Sequence, residues 1–400
     1  MLTRTFALAS LLCVAISIPA AAQQYAARRS GDIVQLEDAK NQTVVSIITS
    51  IGNMAYEMKV KGQNVLRFPF ASIDEFKARP AGLHGIPLLM PWANRLDEQA
   101  FYANGKKYAF DMQLGNVTGA IPIHGFMSRT DQWQVVEVKA DGKSAWVTSR
   151  LDAYKQPQWM KQWPFAHTIE MTYRLQDGVL ETQAKITNMA AEPMPVSLGF
   201  HPYYQLTDSP REEWVITVPA RTRWFLNYLK VPTGETESAD KFFPGGKGTL
   251  KDYNLDDVFS DLNRDAQGRA MVTLKGRKQQ LDIMLGPNYK SLVMYSPNPL
   301  NTGRGSQIPP PNPNPPAPAP AADGTAARGA GRGGGAGRGA GAAPAQAPNP
   351  YNTPNFICFE PMAGITNALN LAQKGVYKEL QYIQPGGTWQ ESFWIKPSGY

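Results

Sequence analysis

An antiparallel all-β architecture is what this 400-residue sequence predicts. Two observations predict it. Apolar runs of strand length recur along the chain with turn residues between them, and helical periodicity sustained over a dozen residues is hard to find. The pattern begins at 33–60, where runs such as Thr43-Val44-Val45-Ser46-Ile47-Ile48 are broken by Gly52 and Gly62. It recurs at 133–138, 145–149, 165–175, 180–187, 214–218, 280–285 and 291–295, with Asp-Gly turn signals at 141–142 and 177–178.

The first 22 residues read differently. A basic start ending at Arg4 leads into an apolar run from Phe6 to Ile18, then Ala20, Ala21 and Ala22 before Gln23. That is the pattern of a secretory signal peptide, with cleavage expected near Ala22 and a periplasmic or secreted mature protein. The run is shorter than the roughly 20 apolar residues a membrane span needs. Cys13 lies too deep in it, after Leu11 and Leu12, to suit lipid attachment. Only Cys358 survives processing, so no internal disulfide is expected and stability must come from a core. With 42% hydrophobic residues, the remaining 23–400 supports one large domain.

From about 301 to 351, Pro, Gly, Ala and Arg dominate, and large aliphatic residues nearly vanish after Ile308. Such a segment cannot bury enough apolar surface to offset its ordering entropy. It is predicted to be a disordered insertion in a surface loop, because strand-like sequence resumes at Asn355-Phe356-Ile357-Cys358-Phe359. The formal charge of +7 raises the question of anionic partners, and Arg328, Arg332 and Arg338 have the look of RNA-binding Arg/Gly tracts. Export argues against nucleic acid.

Chemistry is sparse enough to weigh residue by residue. The four histidines, at 84, 124, 167 and 201, show no metal-ligand spacing and no cysteine pair stands beside them. There is no Gly-x-Ser-x-Gly nucleophile elbow and no glycine-rich phosphate loop opening a helix. No metal or other cofactor is therefore expected. What remains is polarity set into apolar, turn-rich surroundings: Pro91-Trp92-Ala93-Asn94-Arg95; Ile123-His124-Gly125-Phe126, continuing to Arg129 and Trp133; Gly199-Phe200-His201-Pro202-Tyr203; Leu255-Asp256-Asp257-Val258-Phe259; and Phe359-Glu360-Pro361. A buried carboxylate needs a partner, and a buried histidine can supply one.

In order and wording these five segments resemble the aldose 1-epimerase (galactose mutarotase) family, and more closely its hexose-6-phosphate epimerase-like branch. The resemblance runs from about Val34 to Lys396, leaving out the insertion. It implies a galactose mutarotase-like β-supersandwich, a small-molecule sugar as partner, Glu360 as catalytic base and His201 as catalytic acid. It places Arg95, His124 and Asp256 at substrate-binding positions, with Asn94 and Tyr203 assigned beside them. Asp256 fits the motif better than Asp257, and His124 better than His84, which is also followed by glycine. His167 reads as structural. Trp92, Tyr203 and Phe126 are candidates either to stack on a sugar face or to pack the core.

Anomerisation removes the proton of the C1 hydroxyl and protonates the ring oxygen, so a base and an acid must flank one hemiacetal. Proximity is expected to lower the Glu360 pKa and raise that of His201. Two other classes fit the same type of sandwich: a glycoside hydrolase or lyase, which would place a second acid near Glu360, and a non-catalytic carbohydrate-binding protein.

Overall fold

Alternation, broken only where Thr168 is also buried, makes the longest hairpin. His167–Gln176 and Val179–Asn188 bury every second residue, and Asp177 (φ 49°) and Gly178 (φ 73°) form the two-residue turn between them. Positive φ at both central positions gives the turn whose twist matches that of the flanking strands. The computed structural model describes residues 23–78, 82–113, 115–298, 303–305 and 355–400, and the whole is built mostly from antiparallel strands. Among these residues the α-helices number four, none longer than six residues, and no helix is long and apolar enough to cross a membrane.

Three sheets carry the structure. A five-stranded meander covers 25–64. A nine-stranded sheet runs from the edge strand Gln134–Ala140 through Ala145–Asp152, the long hairpin, the C-terminal strand Thr388–Ser398 and Gln280–Leu285 to Lys247–Thr249. A second nine-stranded sheet holds, in order, Pro232–Ser238, Ala220–Leu226, Tyr253–Leu262, Ser291–Ser296, Ile357–Met362, Gly199–Phe200 and Leu88–Leu89. Two short strands, Tyr203–Tyr204 and Arg304–Gly305, lie off that path. The core draws on both large sheets: Leu292 and Phe359 share one apolar cluster with Ile283 and Phe393, and the Phe200 and Phe393 rings lie 5.2 Å apart. Tyr173 ties in the meander, its hydroxyl donating to the Asn53 carbonyl at 3.0 Å and accepting from the Ala55 N–H at 3.2 Å.

Ile357–Met362 is buried at every position, so both of its faces are covered and its apolar run is continuous rather than alternating. Nearby, Arg211 is fully buried, yet its guanidinium donates to the carbonyls of Leu250, Tyr253 and Ser296 and to the Ser296 hydroxyl. Those bonds fasten the ends of Tyr253–Leu262 and Ser291–Ser296, the strands beside Ile357–Met362. Residues 1–22, read in the sequence as a signal peptide, and nearly all of 301–351, read as a disordered insertion, lie outside the described residues. The insertion's described stub, Arg304–Gly305, pairs in parallel with Tyr253 and Asn254. Beyond it the described chain resumes at Asn355, and Phe356 packs against Tyr203 and Tyr295.

Candidate active site

Strand register brings Glu360 and His201 together. Gly199 pairs with Met362 and Tyr203 with Cys358, so His201, midway between, sits across from Glu360 on the same strand face. Pro87 and Gly85 hold that crossing open from the other side, their carbonyls accepting from the His201 and Tyr203 N–H groups. The result is a direct contact, His201 Nε2 to Glu360 Oε1 at 3.2 Å, with Glu360 1% and His201 6% exposed. Tyr203 stacks on the imidazole at 4.8 Å and 16°. Among the described residues, Glu360 Oε2 and His201 Nδ1 are buried with no hydrogen-bond partner.

The second wall is a loop wall. Asn94 and His124 both adopt left-handed backbone (φ 55° and 59°), and a bridge joins Arg95 to Ile123. Gly125 is required beside them, since a Cβ there would lie 2.1 Å from the Met90 carbonyl oxygen. Asn94 N–H donates to His124 Nδ1 at 3.2 Å, and the His124 N–H donates back to the Asn94 carbonyl at 2.9 Å. The His124 ring meets His201 edge-on at 5.4 Å. Arg95 donates to Asp256 at 3.4 Å across the mouth.

These residues line one cavity of about 210 Å³: Asn94, Arg95, His124, His201, Asp256 and Glu360 on its polar side, Leu83, Tyr203 and Tyr295 on the other. It is smaller than the ~300–1,000 Å³ of sites for drug-sized ligands, a size suited to one sugar ring. All seven residues singled out in the sequence as candidate site residues thus lie together. Asp256 faces this cavity, whereas Asp257 is fully buried on the opposite strand face, held by Arg223 at 2.8 Å. Trp92 and Phe126 belong to the core: Trp92 is 1% exposed and packs on Phe110 and Phe126. His84 sits in a loop against Phe70 and Phe76, and His167 is buried in a strand. Leu83 and Tyr295 are additions that sequence reasoning missed. Tyr295 ends an apolar strand paired with both Cys358 and Asp256, a placement visible only once the pairing is known.

The electrostatics reverse one expectation. Burial pushes the Glu360 carboxyl well above the usual carboxylate range, helped by Asp256, and burial pushes His201 down to about 3, helped by Arg95. Mutual attraction was expected to do the opposite. Desolvation wins because burial of both side chains penalises the charges of an ion pair, while a neutral acid–imidazole pair carries none. Both shifts run toward the neutral pair, a protonated carboxyl beside an uncharged imidazole. His124 is likewise held neutral, by burial and then by the nearby His201 and Arg95. Among the described residues no group of three or more His, Cys, Asp or Glu side chains could hold a metal ion.

The aldose 1-epimerase family profile matches residues 32–396. The chain belongs to the aldose 1-epimerase family. A galactose mutarotase-like protein from Clostridium acetobutylicum shares its fold at a TM-score of 0.69 and 18% identity, over 94% of this chain and 98% of that one. The galactose 1-epimerase of Lactobacillus acidophilus is similar at a TM-score of 0.63 and 13% identity, over 94% and 98%. The uncharacterized protein YihR of Escherichia coli is 23% identical over 147 residues, 36% of this chain and 44% of YihR's length. This all-β epimerase fold is thus shared far beyond recognisable sequence identity.

Proposed function

We propose that the protein is an exported aldose 1-epimerase that interconverts the α and β anomers of a free sugar. The observation that carries this reading is the Glu360–His201 contact, a carboxyl and an imidazole 3.2 Å apart, close enough to share a proton, in a cavity sized for a monosaccharide. Both groups can move protons, and each has an atom directed away from the other. When the sugar's hydroxyls line the cavity, the shared proton crosses the 3.2 Å contact from Glu360 to His201. Glu360 then removes the proton of the C1 hydroxyl while His201 protonates the ring oxygen; the C1–O5 bond breaks and the C1 carbonyl forms. The aldehyde end rotates, and closure on its other face runs the same steps in reverse. Arg95 and His124 donate to sugar oxygens and Asp256 accepts from a hydroxyl, holding the ring between the pair.

The test is the rate at which purified protein equilibrates freshly dissolved α-D-glucose or α-D-galactose, followed by polarimetry or NMR. Acceleration by the wild type that is lost in both Glu360→Gln and His201→Asn is the expected result; full activity in both variants would overturn the mechanism. Asp256 in the same cavity is the one feature favouring a hydrolase, and release of nitrophenol from aryl glycosides would decide for that reading. Export rests on the leader. Amino-terminal sequencing of the protein recovered outside the cytoplasm should begin at Gln23.

A further inference from the structure

Asn94 is left without a stated task by this chemistry, although it is 3% exposed and lines the cavity. Its side-chain oxygen is turned to its neighbour: Oδ1 accepts from the Arg95 backbone N–H at 2.9 Å and from Arg95 Nη1 at 3.2 Å. Its backbone N–H is spent on His124 Nδ1 at 3.2 Å. We propose that Asn94 is a positioning residue, whose side chain anchors the Arg95 guanidinium and whose N–H selects the tautomer of His124. The proposal rests on the epimerase reading for its kinetic consequence, though not for its structural one.

The tautomer follows from bonding rules. A backbone N–H is only ever a donor. His124 Nδ1 must therefore offer its lone pair, and a neutral imidazole that accepts at Nδ1 carries its proton on Nε2. His124 then presents a donor to the cavity and has no free lone pair with which to take a proton there. Proton movement is left to His201 and Glu360 alone. The arrangement also explains the residue type. At φ 55° a β-carbon is disfavoured, and Asn is among the few residues apart from Gly that tolerate the left-handed region. Gly would keep the backbone but lose the Arg95 anchor. Asp would keep both but add a charge beside Asp256 and Glu360. Asn satisfies the backbone and the guanidinium while staying neutral.

Three Asn94 variants, with His124→Gln as the assignment control, test this by one spectrum and by KM. In protein carrying ¹⁵N-histidine there are only four imidazoles to assign, and His124 is identified by its absence in His124→Gln. The wild type should show His124 Nδ1 unprotonated and Nε2 protonated, and so should Asn94→Gly, which keeps the left-handed backbone. Asn94→Ala, strained at that φ, should lose the selection and show both tautomers. In mutarotation assays Asn94→Gly should raise KM about tenfold, the effect of loosening a hydrogen bond to a charged group, with a smaller change in kcat. Asn94→Asp should recover most of that KM, because it retains the acceptor for Arg95. A protonated Nδ1 in the wild type would overturn the tautomer claim. A KM in Asn94→Asp as high as in Asn94→Gly would show that restoring the acceptor for Arg95 does not restore binding, and the positioning role would fall. A wild type inactive on every aldose would defeat the epimerase reading while leaving the spectrum to decide the tautomer.

Discussion

Replacing Glu360 by Gln should destroy activity and stabilise the fold, and both effects come from the same burial. Glu360 is 1% exposed, its carboxyl is pushed well above the usual range, and its contact with His201 survives in form because Gln can donate to Nε2. Loss of one proton-transfer group predicts a fall in kcat of about 10²–10⁴. For stability, a carboxyl raised in the fold keeps its proton while the unfolded chain releases it above about pH 4.3. The native state then binds more protons than the unfolded state, so wild-type stability is present at low pH and is lost as pH rises toward the raised pKa. The slope is at most about 1.4 kcal/mol per pH unit. Gln has no such term, so the stability advantage of the variant should widen with pH, by at most about 3 kcal/mol between pH 5.5 and 7.5. Depression of the His201 pKa acts in the opposite direction, but only below its unfolded value near 6.5, and it is present in both proteins. Urea unfolding of both at several pH values, set beside mutarotation rates, reads the two effects together. Parallel stability curves would refute the claim that burial holds this carboxyl protonated; an active Glu360→Gln would refute its role in the chemistry.

Other perturbations have equally definite outcomes. Arg95→Ala removes a donor from the cavity wall and the partner of Asp256; KM should rise by about 10- to 100-fold, with kcat less affected. His167 is buried, its Nδ1 2.7 Å from the Phe165 carbonyl, and burial lowers its pKa to about 4. The unfolded chain takes up that proton below about 6.5 while the fold does not, so stability falls as pH drops from there to 4, and His167→Asn should make this acid slope shallower by up to one proton in urea titrations. Arg223→Met withdraws two hydrogen bonds from fully buried Asp257 and one from Glu237. Thermal unfolding should report a loss of about 3–5 kcal/mol, part of which a second change, Asp257→Asn, should return.

Much of the fold can be read in the sequence because alternation is a local property. The strand read at 280–285 coincides with Gln280–Leu285, and the Asp-Gly signal at 177–178 marks the turn of the longest hairpin. Pairing is not local. Nothing in the 33–60 or 214–218 segments says which joins a separate meander and which crosses to the far end of a nine-stranded sheet. The same division explains Tyr295 and Leu83. Their chemistry is ordinary for a strand end and a loop, and only the pairing of Tyr295 with Asp256 and Cys358 carries it to the cavity.

The five segments stood out because polar groups sat where their neighbours were apolar, and it was the resemblance of their order and wording to the aldose 1-epimerase family that assigned the site residues among them. Their protonation was not legible, and the reason is general. Sequence reasoning identified a carboxylate and an imidazole and treated them as a pair of opposite charges, a description that holds where water remains. Here the central strand Ile357–Met362 is buried on both faces, so Glu360 is only 1% exposed where it meets the cavity, and His201 is stacked beneath Tyr203. In such surroundings burial favours the neutral form of the pair over the ion pair. On the proposed mechanism, a sugar that brings its own hydroxyls into the cavity supplies the hydrogen bonds the ion pair lacks, so that substrate binding arms the base.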